Sequence, residues 1–212
     1  YDTNMMSTRE KFQFPPINKF SSLSSLNIDF SYMNLDKINL EDVFINKNII
    51  ELNVDSSKGS LKWMKNFNHL KSMTFISGYH DKASWDTNKR TPYMREREQK
   101  NTQFAENLKS FEHLKNLEEL YLGKCIIENI DFLRKCKKIK KLHLDLHTDL
   151  TDNDFILKNI NALKNLKELE ELEISNLYKG VNMDALLSCK KLKKLDLNFN
   201  DTDVSLSNKK DP

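Results

Sequence analysis

The chain has 212 residues, of which 38% are hydrophobic and 31% are charged, and its formal net charge is +3. A chain of this size and apolar content can bury its own core without a disulfide or metal. Its small net charge argues against a dedicated nucleic-acid-binding function. It contains no run of about 18 apolar residues, and its N-terminus lacks the apolar segment of a signal peptide, so we expect neither a membrane span nor a secretory leader.

One apolar pattern, Φ-x-x-Φ-x-x-Φ-x-Φ, recurs along the chain. Most copies are spaced near the roughly 20–29-residue period of a known repeat class, with one gap of about twice that period. Within each copy the last two apolar positions are two residues apart, which places them on one face of a short strand. The pattern predicts strands that start near residues 24, 50, 71, 118, 140, 170 and 193. The first positions of the seven copies are Phe20, Asn46, Phe67, Leu114, Cys136, Leu166 and Cys189, of which only Asn46 is polar.

The stretch LEELYLGKCIIENIDFLRKCKK at 117–138 shows the repeat most fully. It resembles the leucine-rich repeats of bacterial internalins and of phosphatase-regulating solenoids, with Cys125 in the conserved Asn/Cys position. The resemblance implies an α/β leucine-rich repeat solenoid: curved, right-handed, with about seven short parallel strands and helical or 3-10 return segments. It further implies a non-catalytic protein-binding module that uses the concave face of the sheet.

The repeats divide the chain into three parts. We predict an N-terminal cap at 1–19, in which Phe12, Phe14 and Ile17 supply apolar cover. The repeat domain spans 20–200, and a tail follows at 201–212. A doubly wound α/β fold is the competing architecture, but it would need longer all-apolar strands and more than the 4 glycines of this chain.

The return segments carry apolar stripes of their own. Leu61, Met64, Phe67 and Leu70 are spaced three residues apart, which predicts a helical or 3-10 segment. Similar stripes run from Phe104 to Leu114 and from Ile156 to Leu166.

The strand positions between the apolar residues should face solvent on the concave side. They hold five carboxylates and no lysine or arginine, and the acidic and basic pairs just before them alternate in sign from strand to strand. We interpret this alternation as a register-setting ion ladder, with a partner-reading surface as the alternative. A basic rim lies one row earlier, at Lys115, Lys137, Lys138, Lys167, Lys190 and Lys191; we interpret it as solvated turns, with weak anion binding as the alternative.

Residues 79–103 interrupt the repeats and contain no Leu, Ile or Val. Trp85, Tyr93 and Arg95 lie there, and aromatic and arginine side chains are enriched at binding hot spots. The segment is either a partner-binding loop or an insertion without that role. The predicted partner-binding residues are therefore Tyr121, His143, Asp145, Glu173 and Asp196 on the sheet, with Trp85, Tyr93 and Arg95 from the insertion.

Catalytic and metal-binding signatures are missing from the sequence, which has no phosphate-binding, nucleophile-elbow or zinc-protease motif. His143, Asp145 and His147 alternate along one strand and could in principle converge on a metal. We assign His147 to the inward-turning Asn/Cys position, which leaves two ligands and no metal site. The three cysteines all fall at core positions, so we expect reduced thiols, no cofactor and a cytoplasmic location.

Two further hypotheses stay open. The chain could be a structural or scaffold subunit of a larger protein or assembly, which binds through its ends or its basic rim. It could also be an enzyme with an unrecognised site. In addition, no polar cap is evident after the strand at 193–198. This strand could therefore mediate self-association through the C-terminal edge.

Overall fold

The computed structural model describes residues 16–30, 45–56, 61–77, 108–125, 127–146 and 157–200. These residues form one seven-stranded sheet in which the strand order follows the chain order and every neighbouring pair is parallel. The strands are β1 (Ser25–Asp29), β2 (Glu51–Ser56), β3 (Ser72–Ser77), β4 (Glu119–Cys125), β5 (Lys141–Leu146), β6 (Glu171–Tyr178) and β7 (Lys194–Asn200). This topology is the repeat solenoid that the sequence predicts.

Each strand begins one residue after its predicted start. The predicted start residues are themselves joined across the sheet by backbone hydrogen bonds. The amide of Lys140 donates to the carbonyl of Glu118 at 2.7 Å, and the amide of Glu170 donates to the carbonyl of Lys140 at 2.8 Å. The repeat pattern therefore places the strands almost to the residue.

The apolar strand positions form two continuous rows inside the solenoid. Leu120 pairs in register with Leu142, and Leu122 pairs with Leu144, and all four side chains are buried. Because a strand alone has nothing to cover its apolar face, each repeat depends on its neighbours for burial.

The return segments are short 3-10 helices, not α-helices, in the described part of the chain. Their apolar residues are buried as the stripes predict, including Met64, Phe111, Leu133 and Leu163. The 3-10 helices are Ile17–Lys19, Lys62–Asn66, Lys109–His113, Asp131–Lys135, Asn161–Asn165 and Asp184–Ser188. Aromatic side chains pack edge to face between repeats, as Phe111 does against Phe75 and Phe132.

Asn46, the polar residue at an apolar repeat position, is buried, and both its amide nitrogen and its oxygen form hydrogen bonds. Its Nδ2 donates to the carbonyls of Ile17 and Phe20 at 3.0 and 2.9 Å, and its Oδ1 accepts from the amide of Asn48. Ile17, from the predicted N-terminal cap, is also buried in the core, whereas Phe12 and Phe14 lie outside the described residues. Among the residues described, no helix is long and apolar enough to cross a bilayer.

Candidate functional site

The solvent-facing surface of the sheet, which we call the open sheet face, carries the predicted binding residues. Its central row consists of Asn27, Asn53, Thr74, Tyr121, His143, Glu173 and Asp196, which are paired in register across all seven strands. None of these side chains is buried. The alternation of strand side chains thus separates this row from the leucine rows of the core.

In the central row, His143 on β5 contacts one residue on each neighbouring strand, Tyr121 on β4 and Glu173 on β6. The rings of Tyr121 and His143 meet edge to face, with centroids 4.5 Å apart. On its other side, Nε2 of His143 lies 3.3 Å from Oε1 of Glu173. The side chains of His143 and Glu173 are 32% and 35% exposed, so the cluster is accessible to a partner.

The environment of Tyr121 favours its neutral, hydrogen-bond-donating form. Partial burial raises the pKa of the Tyr121 phenol, and the negative charges of Asp145 and Glu173 raise it further. The ring lies over Gly123, where a Cβ would approach Tyr121 Cε1 to 2.8 Å and Ile76 Cγ1 to 3.3 Å. A side chain at position 123 would therefore push the Tyr121 ring from its place.

A groove of about 230 Å³ runs beside this cluster over β3 to β7. Its floor includes a second row of the open sheet face, in which Glu119, Lys141, Glu171 and Lys194 follow one another in register. Lys141 and Glu119 approach to 3.0 Å. The hydrogen bond from Lys141 to Glu119 raises the pKa of the Lys141 ammonium, and the charges of Glu119 and Glu171 act in the same direction.

The predicted ion ladder is present one row earlier. The Nζ of Lys140 donates to Oε2 of Glu118 at 2.7 Å, and the Nζ of Lys193 donates to Oε2 of Glu170 at 2.7 Å. Lys71 approaches Glu118 from the other side at 3.9 Å. The alternating charges thus bridge neighbouring repeats.

Two β-bulges change the register at the ends of the strands. Between the same two register pairs, β4 has one residue more than β5: Leu122 pairs with Leu144, and Cys125 pairs with Leu146. Lys124, at φ 53°, accommodates the extra residue. Asn176 occupies the corresponding place on β6 at φ 60°, and its Nδ2 donates to the carbonyl of Leu146 at 2.9 Å.

The assignment of His147 to the Asn/Cys position was wrong. Leu146 pairs in register with Cys125, and it is Leu146 that is buried there, because the bulge in β4 is not repeated in β5. His147 itself lies outside the described residues. Within the part of the chain that is described, no group of three His, Cys, Asp or Glu side chains is arranged to hold a metal ion.

The other predicted site residues are more scattered. Asp145 lies on the open sheet face two residues beyond His143 and pairs in register with Ser175. Asp196 pairs with Glu173 and is exposed on β7, so two carboxylates are neighbours there. The insertion residues Trp85, Tyr93 and Arg95 lie outside the described residues.

The predicted basic rim contributes partly to contacts between repeats. Lys138 donates to Oδ1 of Asn116 at 2.7 Å, and Lys191 donates to Oε2 of Glu168 at 2.6 Å. Lys115, Lys137, Lys167 and Lys190 occupy the first position of successive turns and are exposed.

The sequence analysis did not identify an asparagine that recurs just before three 3-10 helices. Asn129, Asn159 and Asn182 are bridged to one another in a row, and the Oδ1 of each accepts the amide two residues later, at the start of a 3-10 helix. The signal was present as N-Φ-[DN] in ENID, KNIN and VNMD. It is the local side-chain-to-backbone bond that asparagine commonly makes at turns.

The solved structures to which this chain is similar include an internalin and a plant receptor. Internalin C2 from Listeria monocytogenes has a TM-score of 0.47 and 16% identity, over 79% of this chain and 60% of its own. The plant peptide hormone receptor RGFR1, solved in complex with RGF2, has a TM-score of 0.40 and 12% identity, over 85% of this chain and 29% of its own. The chain thus spans less than two thirds of either. No protein-family model and no curated protein matches the sequence.

Proposed function

We propose that the protein is a non-catalytic interaction module whose open sheet face binds a basic segment of a protein partner. The observation that carries this proposal is the cluster of Tyr121, His143 and Glu173, held in register on three adjacent strands and partly exposed. Such a cluster offers an aromatic edge beside a carboxylate on a rigid backbone.

The charge of the open sheet face favours a cationic partner. The carboxylates of Asp29, Asp55, Asp145, Glu173 and Asp196 lie on it, and the lysines of the adjacent row alternate with glutamates. An arginine side chain can stack on a tyrosine and form a bidentate pair with a carboxylate, which makes it the most suitable anchor for this surface.

The insertion at 79–103 is proposed as a second contact. Its residues Trp85, Tyr93 and Arg95 are of the types found at hot spots. In the chain it lies between β3 and β4, ahead of the 3-10 helix Lys109–His113. We also propose a cytoplasmic location, which the three free, buried cysteines favour.

A random peptide library displayed on phage tests the binding proposal. Peptides selected on the wild-type protein should be enriched in arginine and lysine, and their binding should weaken with salt because exposed charges are screened. The double variant Asp145→Asn/Glu173→Gln should lose at least about tenfold in affinity, in line with the loss of one or two charge-assisted bonds. The variant Lys115→Gln/Lys137→Gln, which alters the rim and not the open sheet face, should bind as the wild type does.

Two results would refute the proposal. One is selection of acidic or charge-neutral peptides. The other is equal binding of the selected peptides to the wild type and to Asp145→Asn/Glu173→Gln. Binding lost in the rim variant instead would favour the alternative scaffold role through the basic rim.

A further inference from the structure

The last strand of the sheet leaves its core side partly uncovered. On β6, Leu172 and Ile174 are 1% and 0% exposed. On β7, Leu195, the register partner of Leu172, is 47% exposed, and Phe199 is 46% exposed. Among the described residues no strand lies beyond β7. An edge strand with exposed apolar side chains and unpaired backbone groups is a surface on which another strand can pair.

A sequence change in the last 3-10 helix extends the same apolar end. The fourth residue of each earlier five-residue helix is charged, at Lys65, Glu112, Arg134 and Lys164. In the helix Asp184–Ser188 this position is Leu187, which is 72% exposed. The last repeat therefore presents apolar groups where the preceding repeats present charge.

We propose that this end binds a second copy of the chain, through antiparallel pairing of β7 with β7 about a two-fold axis at Leu197. Leucine and phenylalanine then meet twice, as Leu195 of each copy lies opposite Phe199 of the other, and Leu197 lies opposite itself. On the open sheet face Asp196 lies opposite Asn198, so no like charges are opposed. The interface is closed and uses the same residues on both copies.

Other registers of the same pairing fit less well. A two-fold axis centred at Leu195 instead of Leu197 would place Lys193 opposite Leu197 on the core side. A centre at Asp196 opposes that carboxylate to itself. Centres at Asn198 or Phe199 leave Leu195 beyond the end of the partner strand, which stops at Asn200. Centres between residues would oppose core-side leucines to solvent-side polar residues.

The mass in solution gives the first test. The wild type should behave as a 50 kDa dimer at micromolar concentration in light scattering, twice the 25.0 kDa of one chain. Leu195→Lys and Phe199→Lys should each raise the dimer dissociation constant at least tenfold. Phe20→Lys and Ile50→Lys, at residues 53% and 42% exposed at the other end of the sheet, should leave it unchanged.

Disulfide trapping gives the second test and fixes the register. Chains with Asp196→Cys mixed with chains with Asn198→Cys should form a disulfide-linked heterodimer under mild oxidation, because opposed Cβ atoms in an antiparallel pair lie about 4.5–5.5 Å apart. Neither variant alone should cross-link to itself. A monomer at all concentrations, an open-ended series of oligomers that Phe20→Lys abolishes, or cross-linking of either variant alone would each overturn the proposal.

Discussion

The Nζ of Lys140 lies 2.7 Å from Oε2 of Glu118, and Lys193 and Glu170 repeat this contact at the same distance two strands further on. In both pairs the lysine is exposed and the glutamate is half-buried. Each residue lies just before its strand, where the pair joins one repeat to the next. The hydrogen bond and charge of Lys140 lower the pKa of Glu118, and those of Lys193 lower the pKa of Glu170. The hydrogen bond to Glu118 in turn raises the pKa of Lys140.

These pKa shifts predict a pH-dependent contribution to stability. A carboxyl group whose pKa is lower in the folded state stabilises the fold above its unfolded pKa, and this contribution is lost as the pH falls through the folded value. The double variant Glu118→Gln/Glu170→Gln should therefore melt below the wild type at pH 7, and the two melting curves should converge in acid. Added salt should also reduce the difference in melting temperature between the variant and the wild type.

The matched control for this ladder is Glu51→Gln. Glu51 stands at the start of β2, and its register neighbours Ser25 and Ser72 carry no charge. Its melting temperature should track the wild type across the same pH range. A gap for Glu118→Gln/Glu170→Gln that stays constant down to pH 2 would exclude the electrostatic origin.

Burial by the neighbouring repeat predicts unequal effects of the same truncation on two adjacent strands. Leu172→Ala should lower the free energy of unfolding by about 2–5 kcal/mol, because it leaves a cavity in a closed core. Leu195→Ala, at the paired but 47% exposed position, should cost less than half as much. Urea denaturation of both variants at low protein concentration measures the difference, and equal losses would show that Leu195 is covered in solution.

Asn46 is buried, so its substitution should destabilise the protein more than substitution of the exposed Asn48 does. Asn46→Ala removes the side-chain donor to the carbonyls of Ile17 and Phe20, which each keep one backbone donor, and it removes the acceptor of the Asn48 amide. We expect a cost of about 1–3 kcal/mol. Asn48→Ala removes a bond to the carbonyl of Ser21 that lies at the surface, and it should cost about 0.5 kcal/mol or less. A similar loss for both variants in chemical denaturation would contradict the role assigned to Asn46.

The buried thiols should resist modification while the protein is folded. Burial raises the pKa of Cys136 to about 12, and the charge of Glu112 adds to the effect. Since the thiolate is the reactive form, all three cysteines should label with iodoacetamide at pH 8 only after unfolding. Because the folded-state pKa is raised, the protonated thiol favours folding up to the unfolded pKa near 8.5, and stability should fall as the pH rises beyond it. Rapid labelling of the native protein at pH 8 would show that the core opens locally.

The strands were predictable from the sequence because each carries the same spacing of apolar residues, and that spacing has one structural solution. Leu117, Leu120 and Leu122 already define a face, and the next copy at Ile139, Leu142 and Leu144 defines the same face one repeat later. The free cysteines also follow from this pattern, since Cys125, Cys136 and Cys189 stand in for leucine or asparagine at inward positions.

The pairing of Leu146 with Cys125 could not be deduced in the same way. A bulge is a backbone feature that depends on whether one residue adopts a positive φ, as Lys124 does, and neither glycine nor asparagine marks that residue in β4. Asn176, by contrast, is a residue type that tolerates this conformation, and it marks the bulge in β6.

The sequence by itself determined the number, spacing and facing of the strands, because the period of two in a strand and the recurrence of the repeat leave little freedom in how leucines can be buried. Only the tertiary structure decided which polar residues meet. The contacts of Tyr121 with His143, of His143 with Glu173 and of Asn46 with the first repeat join residues 22 to 30 positions apart. They depend on the register between strands, on the bulges that shift it, and on side-chain directions that no local pattern encodes.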